Sequence, residues 1–383
     1  MNSLERVRAA LNHTEPDKIP FDLGGSMVSG INVNALMDLK KYIGLPDLPV
    51  VKDTITQMAE TGEDVIEYFG IDVKNLAPKV PKKSQLIDLG VIDGSHHIQD
   101  EWGMQWRLPQ GGYYYDLCKS PFAGFETIKE VEDYAWPDAL NEERYVGMKE
   151  EADYILEIEK KAFVTGRMSS GMWEHAMWMT GYEKFMLDMY MNPGLVQAIM
   201  EKILEKKMQY WGTVLDLLGD KNMVISCADD LGTQDSLLVS LDMYKEQIWP
   251  FHKRLFDFIK KRAQSKVFIF FHNDGAIMET IPLLIEAGVD ILNPFQVNCK
   301  GMDTKKFKKL YGNELTIWGG SCDNQHTMPY GTPQEVGDET KRRIDDLAPG
   351  GGFIFAPIHV IQKGVPPENI MAWWETLHEY GKY

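Results

Sequence analysis

Short runs of β-branched and aromatic residues recur along the chain, each ending in Gly, Asn or Asp, and apolar residues at helical spacing fill the intervals. Eight runs qualify as strands: residues 19–23, 73–76, 162–166, 223–227, 267–271, 290–293, 315–318 and 353–356. Helices are expected over 4–11, 183–190, 193–218, 241–263 and 333–347, several of them opening near Asn, Thr or Pro. Eight strands separated by helical crossovers predict an α/β chain folded as a (β/α)8 TIM barrel. A doubly wound sheet is the alternative, but no GxGxxG follows the first run.

Residues 81–138 break the rhythm with Tyr113, Tyr114, Tyr115, Trp102, Trp106 and the turn pair Asp93-Gly94. This stretch reads as an elaborated, β-rich early insertion. No Pro/Ser/Gly-rich linker, low-complexity tract or internal repeat divides the rest, so one domain over 1–383 is expected.

Composition narrows the function. The chain has 383 residues with 40 Lys+Arg against 57 Asp+Glu, a formal charge of −17, so attraction to a nucleic-acid backbone is not expected. No run approaches the roughly 18–20 apolar residues of a membrane span, and the opening helix carries Glu5, Arg6 and Arg8, unlike a secretory h-region. Cys118, Cys227, Cys299 and Cys322 show no CxxC spacing, which fits a reducing, cytoplasmic setting.

Barrel active sites lie at the C-terminal ends of the strands. There the chain places Arg167 after the third run, Asp229 and Asp230 after the fourth, and His272 and Asp274 after the fifth. Asn293 and Gln296 follow the sixth, Cys322 and Asp323 the seventh, and His359 the eighth. His272 and Asp274, one residue apart, emerge on the same side of an extended segment, close enough to share a metal ion or a proton. Cys322 and His359 would complete a set His272, Asp274, Cys322 and His359 that suits zinc. Asp229 and Asp230 divide into one carboxylate for the barrel mouth and one for a helix N-cap or a loop hydrogen bond. Asp230 and His359 are the expected proton donors. Arg167 is placed to bind a substrate carboxylate or to pair with Glu174 or Asp230. The Met/Trp-rich stretch 168–190 packs helices or lines a pocket, with Trp173 its expected pocket member. Asn293, Gln296 and Asp323 complete the expected substrate contacts.

The segments 20–25 (PFDLGG), 229–234 (DDLGTQ), 272–275 (HNDG), 290–296 (DILNPFQ), 318–320 (WGG), 330–333 (YGTP) and 359–362 (HVIQ) resemble the uroporphyrinogen decarboxylase superfamily, in order and over nearly the whole chain. The resemblance implies a (β/α)8 barrel. Decarboxylases of this superfamily carry an arginine-rich stretch after the first strand, whereas residues 24–33 here contain no arginine. That departure favours the corrinoid-dependent methyltransferase branch. Its zinc-bearing members use His-x-Cys after strand five and a further Cys after strand eight. Here Asp274 stands at the first cysteine and the glycine run 350–352 near the second. The chain also resembles methyltransferase components of phenyl methyl ether O-demethylases, whose carboxylate-rich sites suggest a second ligand set: Asp323, Asp338 and His359. The expected reaction is demethylation of a small methoxylated, aromatic compound, with the methyl group delivered to cobalt(I) of a corrinoid (cobalamin) on a partner protein. A decarboxylase or other lyase of a different carboxylated substrate, anchored by Arg167, is the alternative, and a non-catalytic corrinoid- or tetrapyrrole-binding protein the third possibility.

Overall fold

The computed structural model describes residues 1–46, 48–169 and 171–383. Strands β1 (Val51–Asp53) and β2 (Met58–Ala59) form a small antiparallel pair that the sequence pattern does not reveal. They are followed by β3 (Val73–Asn75), β4 (Ile87–Ile92), β5 (Ser95–Gln99), β6 (Gln105–Leu108), β7 (Asp116–Lys119) and β8 (Ala162–Thr165). The last five are β9 (Val224–Ala228), β10 (Phe268–His272), β11 (Ile291–Asn293), β12 (Thr316–Trp318) and β13 (Phe353–Ile354). Seven strands make one curled, parallel sheet in the order β13-β12-β11-β10-β9-β8-β3. Parallel neighbours need crossovers. Helices Pro193–Leu218, Trp249–Arg262, Ile281–Ala287, Thr304–Tyr311 and Pro333–Leu347 supply them from β8 onward, giving the TIM-like barrel.

The eighth staves position is filled by the first predicted strand, reduced to a bridge. Phe21 pairs in parallel with Phe355, Asp22 N–H donates to Phe355 O at 2.9 Å, and on the other side Asp72 N–H donates to Phe21 O at 2.8 Å. The ladder stays this short because Pro20 has no N–H to offer and Phe21 N–H donates to the Asp72 carboxylate at 2.9 Å. The other Asp72 oxygen takes Arg6 Nη1 at 2.7 Å. Arg6 therefore ties the opening helix Ser3–Leu11 to the seam of the barrel.

Alternation along the strands sorts the core. Phe268 and Phe270 of β10 pack in one buried cluster with Val73, Ala162, Val164, Val224, Ile291 and Ile354, and Val7, Ala10 and Leu11 of the first helix join it. Ile269 and Phe271 belong to the larger cluster that holds the helices. The same parity carries Asn75, Gly166, Ser226, Ala228 and His272 to the inner face at the strands' C-terminal ends.

Helices are observed over Pro193–Leu218 and Pro333–Leu347, as the sequence predicts. The predicted helix over 241–263 is divided into Leu241–Met243, a π-turn over Tyr244–Ile248 and Trp249–Arg262. Pro250 in the first turn after that bulge lacks the N–H a continuous α ladder would use. Within the β-rich stretch, β4-β5-β6-β7 form an antiparallel sheet. Asp100 secures its centre by accepting from Trp102 N, Met104 N and Trp106 Nε1 at 2.8–3.1 Å. Tyr115 N–H donates to Ile55 O at 2.8 Å and brings this sheet to the barrel mouth. Among the described residues, no helix is long and apolar enough to cross a membrane.

Candidate active site at the barrel mouth

His272 ends β10 on the inner parity and is 6% exposed. Its Nδ1 lies 2.7 Å from Asn293 Oδ1, and Asn293 Nδ2 donates to Trp318 O at 2.7 Å. That second bond fixes the amide with its oxygen toward the ring, so Nδ1 donates to it and Nε2 is the nitrogen turned to the mouth. Nε2 faces Asp230 Oδ1 at 3.9 Å and Asp274 Oδ2 at 4.0 Å. His272, Asp274 and His359 each offer one ligand atom, all within 4.8 Å of one another. The imidazoles of His272 and His359 lie edge to face, 5.4 Å between centroids.

The loops after β9 and β10 are locked together beneath this group. Gly275 sits at φ +99°, where a Cβ would lie 2.5 Å from the Gly232 carbonyl carbon, so only glycine lets the two backbones touch. Asp274 N–H then donates to Asp230 Oδ1 at 2.8 Å. Burial, with the Asp274 charge next, pushes the Asp230 carboxyl up to about 6. Asp274 Oδ1 is buried with no hydrogen-bond partner. His359 is pushed down by burial and so stays neutral, and its Nδ1 accepts Val360 N–H at 2.8 Å, which puts its proton on Nε2.

The Asp274 carboxylate, one oxygen buried without a partner and the other 4.0 Å from His272 Nε2, fits a divalent cation, and the nitrogen and oxygen donors suit zinc. His272 and Asp274 are the ligands ready as they stand. His359 would have to surrender its bond from Val360 to present a bare Nε2, so in the present tautomer it is a hydrogen-bond donor.

Two cavities flank the group. One, about 360 Å³, opens outward and is lined by Asp274, His359, Gln296, Thr56 and Tyr114 among others. The other, about 30 Å³, lies inside the barrel between Asn75, Ser226, His272, Arg167 and the loop residues Ser26 and Met27. It has room for roughly two waters.

Other expected site residues take different places. Cys322 is not part of the metal-ligating group: it is fully buried, its Sγ lies 3.8 Å from Glu339 Oε2 on helix Pro333–Leu347, and burial holds the thiol well above its usual range. Asp338 is exposed on that helix and accepts from Gln334 Nε2, away from the mouth. Asp323 accepts Gln325 N–H and His326 N–H and contacts His326 Nδ1, which makes it the cap of its own turn. Trp173 is fully buried in the helix-packing core and does not line either cavity. Asn293 orients His272, and Gln296 does reach the cleft.

Arg167 pairs with neither Glu174 nor Asp230; its Nη2 donates to Asp53 Oδ2 at 2.7 Å. It opens a turn in which Arg167, Met168 and Ser169 all have positive φ (76°, 45°, 42°). Tyr210 Oη donates to Gly166 O at 2.9 Å and Lys207 Nζ to Met168 O at 3.1 Å, supporting this strained turn from helix Pro193–Leu218. Asp229 accepts Trp173 N–H, Glu174 N–H and His252 Nε2–H, so it caps helix Trp173–Thr180 while Asp230 faces the mouth. Sequence reasoning missed Tyr114 and Thr56 as cleft residues, since both belong to segments outside the βα rhythm. Glu174, weighed in the sequence only as a partner for Arg167, has its carboxyl raised well above its usual range by burial and by the charges of Asp230, Asp229 and Asp274.

The model of the uroporphyrinogen decarboxylase (URO-D) family matches residues 120–380. A uroporphyrinogen decarboxylase from Serratia proteamaculans is 21% identical over 196 residues, 51% of each chain, so the match spans about half the length of that relative. The solved structure of a methyltransferase from Methanosarcina mazei superposes with a TM-score of 0.67 at 17% identity, covering 99% of both chains. The last likeness is one of fold, and it extends the barrel architecture over the whole length. With the matched model covering well over half of the chain, the protein belongs to the uroporphyrinogen decarboxylase family.

Proposed function

We propose that the protein is a methyltransferase that takes the methyl group of a small methoxylated, aromatic compound and passes it to cobalt(I) of a corrinoid on a partner protein. The observation that carries this reading is the chemistry of the cleft. Its lining holds Asp274 and His359 and no Lys or Arg, beside Nε2 of His272. A decarboxylase acting on a polyanion needs cations there, and Arg167 is held by Asp53. The superposed Methanosarcina protein is named a methyltransferase, which supports the same direction.

Overall, the carbon–oxygen bond breaks with its electron pair left on oxygen, the cobalt supplies the pair for the new bond to methyl, and the phenolate takes a proton. The protein must stabilise charge growing on that oxygen. His359 presents Nε2–H as a hydrogen-bond donor for this task, and Asp230, with a carboxyl near 6, is the proton source close to the working pH. Asn293 keeps His272 turned with Nε2 toward Asp230 and Asp274. His272 and Asp274 would hold zinc, which when bound would supply Lewis acidity to the departing oxygen.

The test mixes the protein with a reduced corrinoid protein and a panel of aryl methyl ethers, and follows the methylcobalamin spectrum. The reading expects methylation with at least one ether and no carbon dioxide release from carboxylated analogues. Absence of methylcobalamin with every ether, or carbon dioxide release without methyl transfer, rejects it.

A further inference from the structure

The small cavity inside the barrel takes no part in methyl transfer, and hydrogen-bond donors gather on its lining. Arg167 gives the protein only Nη2, which donates to Asp53 Oδ2 at 2.7 Å and to Met27 Sδ at 3.1 Å; among the described residues nothing accepts from Nη1 or Nε. Asp53 has no more to give, because its Oδ1 accepts Thr56 N–H at 2.7 Å and Thr56 Oγ1–H at 2.8 Å. Asn75 on β3 and Ser226 on β9 reach the same cavity from the inner face, each half-buried and each without a side-chain partner among the described residues. Among the described residues no Asp or Glu lines it. Lys52 on β1 brings a second cation close to Arg167. It makes no ion pair among the described residues, and burial, followed by the Arg167 charge, pushes its ammonium down to about 8.

Guanidinium, amide and hydroxyl groups that converge without an acceptor are the donor set of an oxyanion site. The volume sets the size of the ligand. About 30 Å³, room for roughly two waters, admits a planar anion of a single carbon and excludes a ring. We propose that the inner cavity is a binding site for a one-carbon oxyanion, formate or hydrogencarbonate, held by the nitrogens of Arg167 that Asp53 leaves free and by Asn75 Nδ2 and Ser226 Oγ. Lys52 adds its charge from nearby, so the site takes a singly charged ligand in a chain that is otherwise strongly acidic. The outer cleft is left to the methyl donor, and the inference stands or falls independently of the reaction assigned there.

The test is an NMR titration of 13C-formate with the whole chain at pH 7 and constant ionic strength, read as line broadening. The expected result is saturable broadening with one site per chain, reversed by unlabelled formate and not by benzoate, whose ring the cavity cannot take. Ser226→Val removes a donor and fills the space with a methyl group, and it should weaken formate at least tenfold, as should Arg167→Leu. Ser226→Ala removes only the hydroxyl, keeps the strand unchanged and should weaken formate about threefold. Melting temperatures within a few degrees of the wild type qualify each variant, and Ser226→Ala decides the matter where the others do not fold. The same titration with 13C-hydrogencarbonate tells the two sources apart: whichever anion saturates at the lower concentration is the ligand. Saturation by neither anion, displacement by benzoate as effective as by formate, or an affinity indifferent to the Ser226 and Arg167 substitutions overturns the inference.

Discussion

His272 is the residue on which the site turns, and Asn293 decides what it can do. Replacing Asn293 with Ala removes the acceptor that holds the Nδ1 proton, and the loss expected of such an orienting partner is about 10–100-fold in metal affinity. Competition with a zinc chelator measures it, and an unchanged affinity contradicts the tautomer argument. Protein prepared without chelator should carry about one zinc per chain, His272→Ala should carry none, and Cys322→Ala should match the wild type, because that thiol faces Glu339. Asp22 gives a pH test away from the site. Its buried carboxyl, which accepts from Gly25 N, Ser29 Oγ and Trp318 Nε1, is raised from 3.8 to about 6. The folded chain therefore binds this proton more tightly than the unfolded one, so its contribution to stability falls as pH rises from about 4 to 6 and is flat beyond. A two-unit shift makes the change about 3 kcal/mol. Asp22→Asn should gain on the wild type by that order between pH 4 and 7 in urea titrations, and an offset independent of pH refutes the assignment. At this scale the sequence showed which polar residues follow strands, and so found His272, Asp274 and His359. It could not show where a side chain points once the strand has ended, which is why Cys322 and Trp173 were expected at the mouth and lie in packed surroundings.

Among the elements, the seam of the barrel is the least regular part. Arg6 and Asp72 replace backbone pairing there, and both side chains are nearly buried. Arg6→Ala leaves Asp72 charged, buried and short of its partner, a loss of about 3–5 kcal/mol. Urea unfolding checks it, and a loss below about 1 kcal/mol would mean that the seam is held by backbone contacts alone. Seven of the barrel strands were legible because buried parallel strands are near-continuous apolar runs. The remaining run, at 19–23, was legible as extended chain but not as a bridge, since pattern reading does not weigh the N–H that a proline lacks or a carboxylate that competes for the next one. The pair β1 and β2 was not legible: with so few residues and no strict alternation, it leaves no period to detect.

For the whole molecule, the recurring strand–helix rhythm was enough to read the barrel, and the β-rich stretch was visible as an interruption of it. Its approach to the mouth was not visible, because that depends on contacts such as Tyr115 N–H to Ile55 O between segments far apart in sequence. With a formal charge of −17 and a cleft lined by no Lys or Arg, the protein offers little to a polyanionic substrate and more to a neutral one. The central claim is that the group around His272 moves a methyl group from oxygen to cobalt. The most direct measurement is the single-turnover rate of methylcobalamin formation from 2-methoxyphenol and a reduced corrinoid protein, compared between the wild type and His272→Ala. The account predicts a burst of methylcobalamin with the wild type and a rate at least a thousandfold lower, about 4 kcal/mol of barrier, with the variant. Equal rates for the two proteins, or no methylcobalamin from the wild type, would contradict it.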